Sequence, residues 1–197
     1  FATKIYDADN NEIQTLSSAG ANRTYVTIDQ IPINLQHAFI AIEDERFYEH
    51  NGIDMKGILR AASITLSSGH MSQGASTITQ QLIKNNVFNA YNESDIEKIK
   101  RKVQEQYLAI KLETVMSKKS ILENYLNTIN LGNGYYGVQA AAKGYFNKDV
   151  SELSLSECAV IASITKSPTG LNPIRHADRN RDRQSQVLLN MKDQGYI

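Results

Sequence analysis

The sequence has a single cysteine, Cys158, and only four histidines, which are scattered along its 197 residues. One cysteine cannot form a disulfide within the chain, and no CxxC pair or histidine cluster is present. This pattern argues against a cysteine or histidine metal site. Cys158 begins the apolar run at residues 158–164, which predicts a buried thiol rather than a nucleophile.

Net charge and long apolar runs are also absent. Twenty-one Lys and Arg residues balance twenty-one Asp and Glu residues. No global field therefore attracts nucleic acid or an anionic bilayer, and any anion site must be local. No apolar run approaches the roughly 20 residues that cross a bilayer. With 41% hydrophobic residues, the chain can bury one substantial core, and we expect one domain.

Hydrophobic periodicity predicts a mainly helical chain after a short β-hairpin at residues 4–13, where apolar pieces flank an Asp and Asn cluster. Asp54 and Ser76 are predicted N-caps, and Ser154 with Glu157 forms a predicted capping box. Helices are expected at residues 34–49, 54–67, 77–88, 95–116, 120–131, 138–146, 155–164 and 176–194.

The predicted helix at residues 95–116 carries two apolar stripes on opposite sides, and we expect such a helix to run through the core. The stripes are Ile96, Ile99, Val103 and Ile110 on one side, and Leu108, Leu112 and Met116 on the other. Arg101 and Glu105 fall on the second stripe, where their neighbours are apolar. Their spacing fits either an internal ion pair or a functional pair.

The acidic run at residues 43–50 offers a candidate general base. Charge clusters at a helix end are usually solvated surface. Glu43, however, follows Ile42 and lies one turn after Phe39, at the edge of the apolar face. Desolvation there would raise the pKa of a carboxyl group toward the range useful to a base. For His50, taken by itself, a structural role in a turn is the simpler interpretation.

Residues 73–85 place a small-residue loop before a helix start, followed by hydroxyls, amides and a lysine. Free backbone N–H groups at a helix start favour an anion, and Lys84 adds a full positive charge. The lysine does not directly follow the glycine loop, so a nucleotide triphosphate loop is not supported. An ordinary serine-capped helix with a polar face fits the same spacing.

Several segments together resemble the ordered motifs of the peptidoglycan glycosyltransferase family. The first three are Glu-Asp-Glu-Arg-Phe-Tyr-Glu-His-Asn-Gly-Ile-Asp at 43–54, Gln-Gly-Ala-Ser-Thr-Ile-Thr-Gln-Gln-Leu at 73–82 and Arg-Lys-Val-Gln-Glu at 101–105. Two more follow at residues 121–146 and 155–173. Ala75 departs from the family's usual second glycine, which implies a stiffer loop.

The resemblance implies a mainly α, lysozyme-like fold with a large helical lobe and a small membrane-facing jaw. Residues 1–30 would form a minor β element packed on the domain, and residues 31–197 the glycosyltransferase domain. The implied reaction polymerises lipid II into β-1,4 glycan strands. Glu43 would deprotonate the 4-hydroxyl of the acceptor sugar, undecaprenyl diphosphate would leave with inversion, and Glu105 would assist.

The resemblance, with the charge pattern above, also implies a set of substrate-binding residues. A departing diphosphate needs charge stabilisation, which cationic side chains and the hydroxyl-rich helix start can supply. No covalently bound cofactor is expected, but a divalent cation, Mg²⁺ or Mn²⁺, can bridge the diphosphate oxygens. The predicted set is Asp44, Phe47, His50, Ser76, Thr77, Gln80, Gln81, Lys84, Arg101, Lys102 and Asn127, and Lys98 is a further candidate.

Two other classes compete with this interpretation. A lysozyme-like hydrolase or lytic transglycosylase also uses a glutamate at a helix end, but it needs no diphosphate site. A catalytically inactive glycan- or lipid-binding module would have no need of Glu43, Glu105 and Lys84. Turnover of a lipid-linked substrate separates these classes.

The two ends of the sequence resemble the flanks found in class A penicillin-binding proteins. An N-terminal membrane anchor and a C-terminal transpeptidase domain, both outside this sequence, are implied. The expected location is the outer face of the bacterial cytoplasmic membrane. Expected partners are lipid II, the growing glycan chain, the membrane surface and other cell-wall synthesis proteins, with no nucleic acid.

Overall fold

The computed structural model describes residues 3–6, 12–16, 24–68, 76–88 and 93–197. Strands β1 (Thr3–Tyr6) and β2 (Glu12–Leu16) pair antiparallel, with an irregularity between Ile5 and Tyr6. The predicted hairpin is therefore confirmed. Its packing on the rest of the domain stays a prediction, and Ala75 lies outside the described residues.

The described part of the chain after the hairpin is mainly helical. Short 3-10 turns occur at Ile28–Gln30, Val150–Glu152 and Ile164–Lys166. The α-helices are α1 (Ile33–Glu43), α2 (Met55–Ser68), α3 (Ile78–Val87), α4 (Asp95–Val115), α5 (Lys118–Thr128), α6 (Val138–Phe146), α7 (Leu155–Ser163) and α8 (Ala177–Asp193).

Local capping explains most of these boundaries. The backbone N–H of Gly57 donates to Asp54 Oδ1 at 3.0 Å, and the capping box of Ser154 and Glu157 is present, so both predicted caps are confirmed. The cap of α3 is Thr77, whose hydroxyl oxygen accepts from the N–H of Gln80, and not Ser76 as predicted.

The first helix is shorter than predicted. It ends at Glu43, because Asp44 adopts φ −157° and ψ 71° and turns its carboxylate toward His50 and the start of α3. The prediction of a helix to residue 49 was wrong because the charged residues continue the helical spacing while a tertiary contact stops the helix. Glu43 consequently lies at a helix end and not inside a helix.

The core lies where α1 packs against α7 and α8, and α3 packs against α4 and α5. Fully buried side chains there include Leu35, Phe39, Tyr125 and Ile161. Cys158 is also fully buried, and desolvation raises the pKa of its thiol to about 12. The prediction of an inert, buried cysteine is confirmed.

The longest helix, α4, does not run through the core as expected. Glu105 and Ala109 are buried and Leu112 is partly buried, but the opposite stripe faces away from the protein. We call this stripe the apolar face of α4; its members are Ile96 (74% exposed), Ile99 (66%), Val103 (61%), Tyr107 (59%) and Ile110 (44%). Periodicity showed an apolar stripe but not what covers it. Among the described residues, no helix combines the length and apolar character needed to cross a bilayer.

Candidate active site

A cavity of about 1210 Å³ lies between the end of α1, the start of α3, the middle of α4 and α8. Most of the predicted site residues line it, although they come from three separate segments of the chain. They are Glu43, Asp44, Ser76, Thr77, Gln80, Gln81, Lys84, Arg101, Lys102 and Glu105. The structure thus brings together ten of the thirteen predicted site residues, and Phe47, His50 and Asn127 are not in the lining.

Glu43 ends α1 and presents a carboxylate whose two oxygens are held by different donors. Gln81 Nε2 donates to Oε2 at 2.8 Å, and Thr165 Oγ1 donates to Oε1 at 2.5 Å. The carboxamide oxygen of Gln81 in turn accepts from the hydroxyl of Tyr125 at 3.1 Å. The result is an oriented carboxylate at the cavity wall, which is the geometry that a general base requires.

Asp44 and His50 join the end of α1 to the start of α3. The carboxylate of Asp44 lies 2.9 Å from His50 Nε2 and accepts from the backbone N–H of Ile78 at 2.9 Å. Since the N–H of Gly52 donates to His50 Nδ1 at 3.2 Å, Nε2 carries the hydrogen that Asp44 accepts. Gly52 has φ +87°, and a Cβ there would lie 2.6 Å from the carbonyl carbon of Ala109. Only glycine fits this turn against α4.

The start of α3 differs from the open anion site that the sequence suggested. Its N–H groups at Ile78 and Gln80 are already bonded, the first to Asp44 and the second to the hydroxyl oxygen of Thr77. The hydroxyl of Thr77 and the Nε2 of Gln80 both donate to the carbonyl of Gly52. The anion that this helix start holds is a carboxylate of the protein, which leaves the cationic side chains of the cavity as the candidate contacts for a substrate anion.

Arg101 and Glu105 form part of an ion-pair cluster on α4. Arg101 Nε donates to both oxygens of Glu93 at 2.9 and 2.8 Å, and its Nη1 donates to Glu105. The hydrogen bond to Glu93 is the largest cause of the raised pKa of Arg101, which stays charged. Glu105 is 1% exposed, yet it lines the cavity. Glu105 therefore forms an internal ion pair and lines the cavity at the same time.

Lys102 and Lys84 add two ammonium groups to the same cavity. The Nζ of Lys102 donates to Ser76 Oγ at 2.7 Å, to Gln80 Oε1 at 3.1 Å and to Glu105 Oε2 at 3.2 Å. Lys84 is exposed, and within the described part of the chain its ammonium has no hydrogen bond or ion pair. Lys84 is therefore available to a ligand.

The remaining predicted residues lie elsewhere. Phe47 is fully buried, with the ammonium of Lys118 4.5 Å above its ring. Asn127 is 4% exposed, and its side chain bonds both backbone groups of Val26, donating at 2.8 Å and accepting at 2.9 Å. Lys98 is exposed and pairs with Asp95 at 2.9 Å. Phe47, Asn127 and Lys98 therefore make structural contacts and do not line the cavity.

Sequence reasoning missed one wall of the cavity. Thr165 and Lys166 come from the 3-10 turn after α7, and other polar residues come from α8. They are Arg183, Gln186, Asn190 and Asp193 of α8, with Gln194 at its C-cap. Their charged pattern is that of a solvated helix, so nothing in their spacing indicated a cavity. Thr165 lies in the segment at residues 155–173 that resembled a family motif, but no local signal singled it out.

Comparison with known proteins agrees with the geometry. A family model described as Transglycosylase matches residues 9–192. The chain belongs to the transglycosylase family. This transglycosylase is 50% identical over 194 residues to penicillin-binding protein 1A of Escherichia coli K12, covering 98% of the chain and 22% of that protein. It is 45% identical over 196 residues to penicillin-binding protein 1F of Bacillus subtilis 168, covering 100% of the chain and 26% of that protein.

A solved structure supports the fold assignment. The crystal structure of penicillin-binding protein 1A from Haemophilus influenzae matches with a TM-score of 0.51 and 26% identity, covering 100% of the chain and 18% of that protein. The mainly α, lysozyme-like fold expected for a transglycosylase is thereby confirmed. The chain spans about a quarter of the length of the curated relatives it matches.

The transglycosylase cavity offers cations rather than a metal ligand set. Among residues 24–68, 76–88 and 93–197, no group of three or more His, Cys, Asp or Glu side chains is arranged to hold a metal ion. The carboxylate of Asp44 is engaged by His50 and Ile78, and that of Glu43 by Gln81 and Thr165. Binding of a divalent cation to the diphosphate oxygens stays a prediction, because the carboxylates of Glu43 and Asp44 do not form a metal site of their own.

Proposed function

We propose that this transglycosylase domain polymerises lipid II, a disaccharide linked to a lipid diphosphate, into the β-1,4 glycan strands of peptidoglycan. One observation carries the proposal: an oriented carboxylate and three cations from α3 and α4 line the same cavity. The carboxylate is that of Glu43, and the cations are Lys84, Arg101 and Lys102. The names and identities of the relatives support the same activity.

In the proposed reaction Glu43 accepts the proton of the acceptor sugar's 4-hydroxyl. The oxygen attacks the anomeric carbon of the growing chain as the bond from that carbon to the diphosphate oxygen breaks. Undecaprenyl diphosphate leaves with the bonding electron pair, and a single displacement inverts the anomeric configuration. Gln81 and Thr165 keep the carboxylate aimed at the acceptor side.

The leaving diphosphate develops negative charge, which Lys84, Arg101 and Lys102 stabilise. Glu105 does not need to touch the substrate for this step. It accepts hydrogen bonds from both Arg101 and Lys102 and thereby fixes where their charges lie. Fixed charges cost no reorganisation during the reaction, so Glu105 assists catalysis by placing these two cations.

Turnover tests this function against the hydrolytic alternative. The purified chain is incubated with fluorescent lipid II and, separately, with purified uncross-linked glycan strands. Polymerisation predicts longer strands and released undecaprenyl diphosphate from the first substrate, with the second unchanged. Shortened strands in the second reaction, without polymer in the first, would support a lytic enzyme instead. Binding of lipid II without either product would support an inactive binding module.

Removing the charge of Lys84 is expected to reduce polymerisation about tenfold without lowering the melting temperature. The side chain is exposed and lines the cavity, so Lys84→Ala removes a diphosphate contact and no core packing. Lys98→Ala is the matched control, since Lys98 is an exposed lysine outside the cavity lining. Equal turnover in the two variants, or an equal loss of stability and turnover in Lys84→Ala, would contradict this role.

We also propose that this domain acts at a membrane surface, the outer face of the bacterial cytoplasmic membrane, because its proposed substrate carries a lipid. The apolar face of α4 is exposed, and α2 exposes Met55 (61%), Leu59 (67%) and Leu66 (87%). Such apolar side chains on helices suit the boundary between lipid headgroups and acyl chains. Association with other cell-wall synthesis proteins stays a prediction.

Two acidic substitutions on the apolar face of α4 are expected to weaken binding to lipid vesicles about tenfold or more. Each places a charged side chain where an apolar one would contact the lipid. The variant is Ile99→Asp with Val103→Asp, measured by co-sedimentation. Leu189→Asp, at a 51% exposed position on α8, is the control and keeps parental binding. Equal vesicle binding by all three proteins would refute membrane contact through α4.

A further inference from the structure

Tyr125 lies beneath the site without lining the cavity. It is fully buried in α5, and its ring packs edge-on against Phe39 with the ring centroids 6.0 Å apart. Its hydroxyl donates to Gln81 Oε1 at 3.1 Å. Within the described residues this is the hydroxyl's one hydrogen bond, so Tyr125 reaches Glu43 through Gln81 alone.

The hydroxyl of Tyr125 acts as a donor. Burial is the first cause that raises its pKa well above the ordinary value, and the negative charges of Glu43 and Asp44 add to it. The hydroxyl therefore keeps its hydrogen throughout the pH range in which enzymes of this kind are assayed. A buried hydrogen of this sort needs an acceptor, and the carboxamide oxygen of Gln81 is positioned to be that acceptor.

The carboxamide of Gln81 has a donor end and an acceptor end of almost the same shape. When Oε1 accepts from Tyr125, Nε2 faces Glu43 and donates to its carboxylate at 2.8 Å. The reverse orientation would direct a carbonyl oxygen at a carboxylate and leave the hydrogen of Tyr125 without an acceptor. The observed orientation is thus the one that satisfies every group while Glu43 is charged.

We propose that Tyr125 is a positioning residue for Glu43: its hydroxyl fixes the carboxamide of Gln81 so that an N–H donor faces the carboxylate. This inference rests on the proposed function, in which Glu43 is the base. Before the proton transfer the base must be ionised and aimed at the acceptor sugar. Tyr125 favours that state without touching the substrate.

Thr165 has a complementary property. Its hydroxyl oxygen lies 2.5 Å from Glu43 Oε1 and 2.9 Å from the carbonyl oxygen of Ala162. A hydroxyl has one hydrogen and can also accept. It can donate to Glu43 while the base is charged, then turn to Ala162 and accept from Glu43 once the base has gained its proton. Thr165 therefore bonds Glu43 in both states, and Tyr125 and Gln81 are the residues that favour the charged one.

Tyr125→Phe tests this role because it keeps the ring and its packing and removes only the hydroxyl. On the plateau of the pH–rate profile, kcat is expected to fall roughly three- to tenfold with KM unchanged. The acidic limb of the profile is expected to move up by about half to one pH unit, because the network no longer favours the ionised base.

Tyr145→Phe is the matched control. The hydroxyl of Tyr145 donates to the carbonyl of Leu131 at 2.7 Å, and neither residue lines the cavity. This variant is expected to lose a similar amount of thermal stability while its pH–rate profile stays parental. A second comparison uses Gln81→Leu, which removes the link itself. Adding Tyr125→Phe to Gln81→Leu should then shift the acidic limb no further.

The outcomes separate this inference from the proposed function. If the parent chain does not polymerise lipid II, the proposed function fails. If the parent polymerises but Tyr125→Phe keeps the parental pH–rate profile and kcat, the positioning role is overturned and the function stands. A lower melting temperature of Tyr125→Phe with an unchanged pH–rate profile also overturns the positioning role. So does a further shift of the acidic limb when Tyr125→Phe is added to Gln81→Leu.

Discussion

Glu43→Gln is expected to abolish glycan polymerisation while the fold is retained. A base that acts on an alcohol typically contributes ~10²–10⁴-fold, and a carboxamide cannot take up the proton. The replacement has nearly the same size, and its oxygen and amino group can still bond Gln81 and Thr165. The loss should therefore appear in kcat rather than in the amount of folded protein.

The measurement is lipid II turnover together with thermal melting on the same preparation. Glu49→Gln is the control, since Glu49 belongs to the same acidic run but is exposed and lies outside the cavity lining. That variant should polymerise at the parental rate. Activity of Glu43→Gln within a factor of two of the parent would remove Glu43 from the catalytic role.

Glu105→Gln is expected to reduce polymerisation ~10- to 100-fold, because misplaced cations stabilise the leaving diphosphate poorly. The stability cost should be moderate. Stranding a buried charge costs about 3–5 kcal/mol. Here Arg101 keeps its two hydrogen bonds to Glu93, and Lys102 keeps its hydrogen bonds to Ser76 and Gln80. Weakening the charged hydrogen bonds of Glu105 should lower the free energy of unfolding by about 1–3 kcal/mol.

Glu93→Gln provides the matched control for this cluster. Glu93 also pairs with Arg101 but does not line the cavity, so its loss should affect turnover less than the loss of Glu105. Denaturant unfolding and turnover are measured on each purified variant. Unchanged turnover in Glu105→Gln, or a stability loss large enough to unfold it under the assay conditions, would make Glu105 a structural residue only.

Local chemistry explains why much of the fold could be predicted. The caps at Asp54 and Ser154 and the end of α6 at Asn147 depend on residues within a few positions of one another. The end of α1 does not. Asp44 stops that helix through bonds to His50 and to Ile78, and the second partner lies 34 positions away. Helical spacing alone therefore extended α1 too far.

The candidate site shows the same division. Residue type and position, together with the resemblance to the family motifs, singled out Glu43, Lys84 and Glu105, and these residues line one cavity. The donor that holds the other oxygen of Glu43, Thr165, is 122 positions away and became visible only in the packed structure. Likewise Phe47 carries the same family resemblance as Glu43, but its ring points into the core.

Periodicity and capping act over about four residues, so the positions of the helices and most of their caps can be predicted from the sequence. Tertiary structure alone decided three features. It placed α8 at the wall of the cavity, bonded the start of α3 to Asp44, and left the apolar face of α4 exposed. An apolar or charged side chain specifies what kind of neighbour it favours, but only the packing of distant helices decides which neighbour it meets.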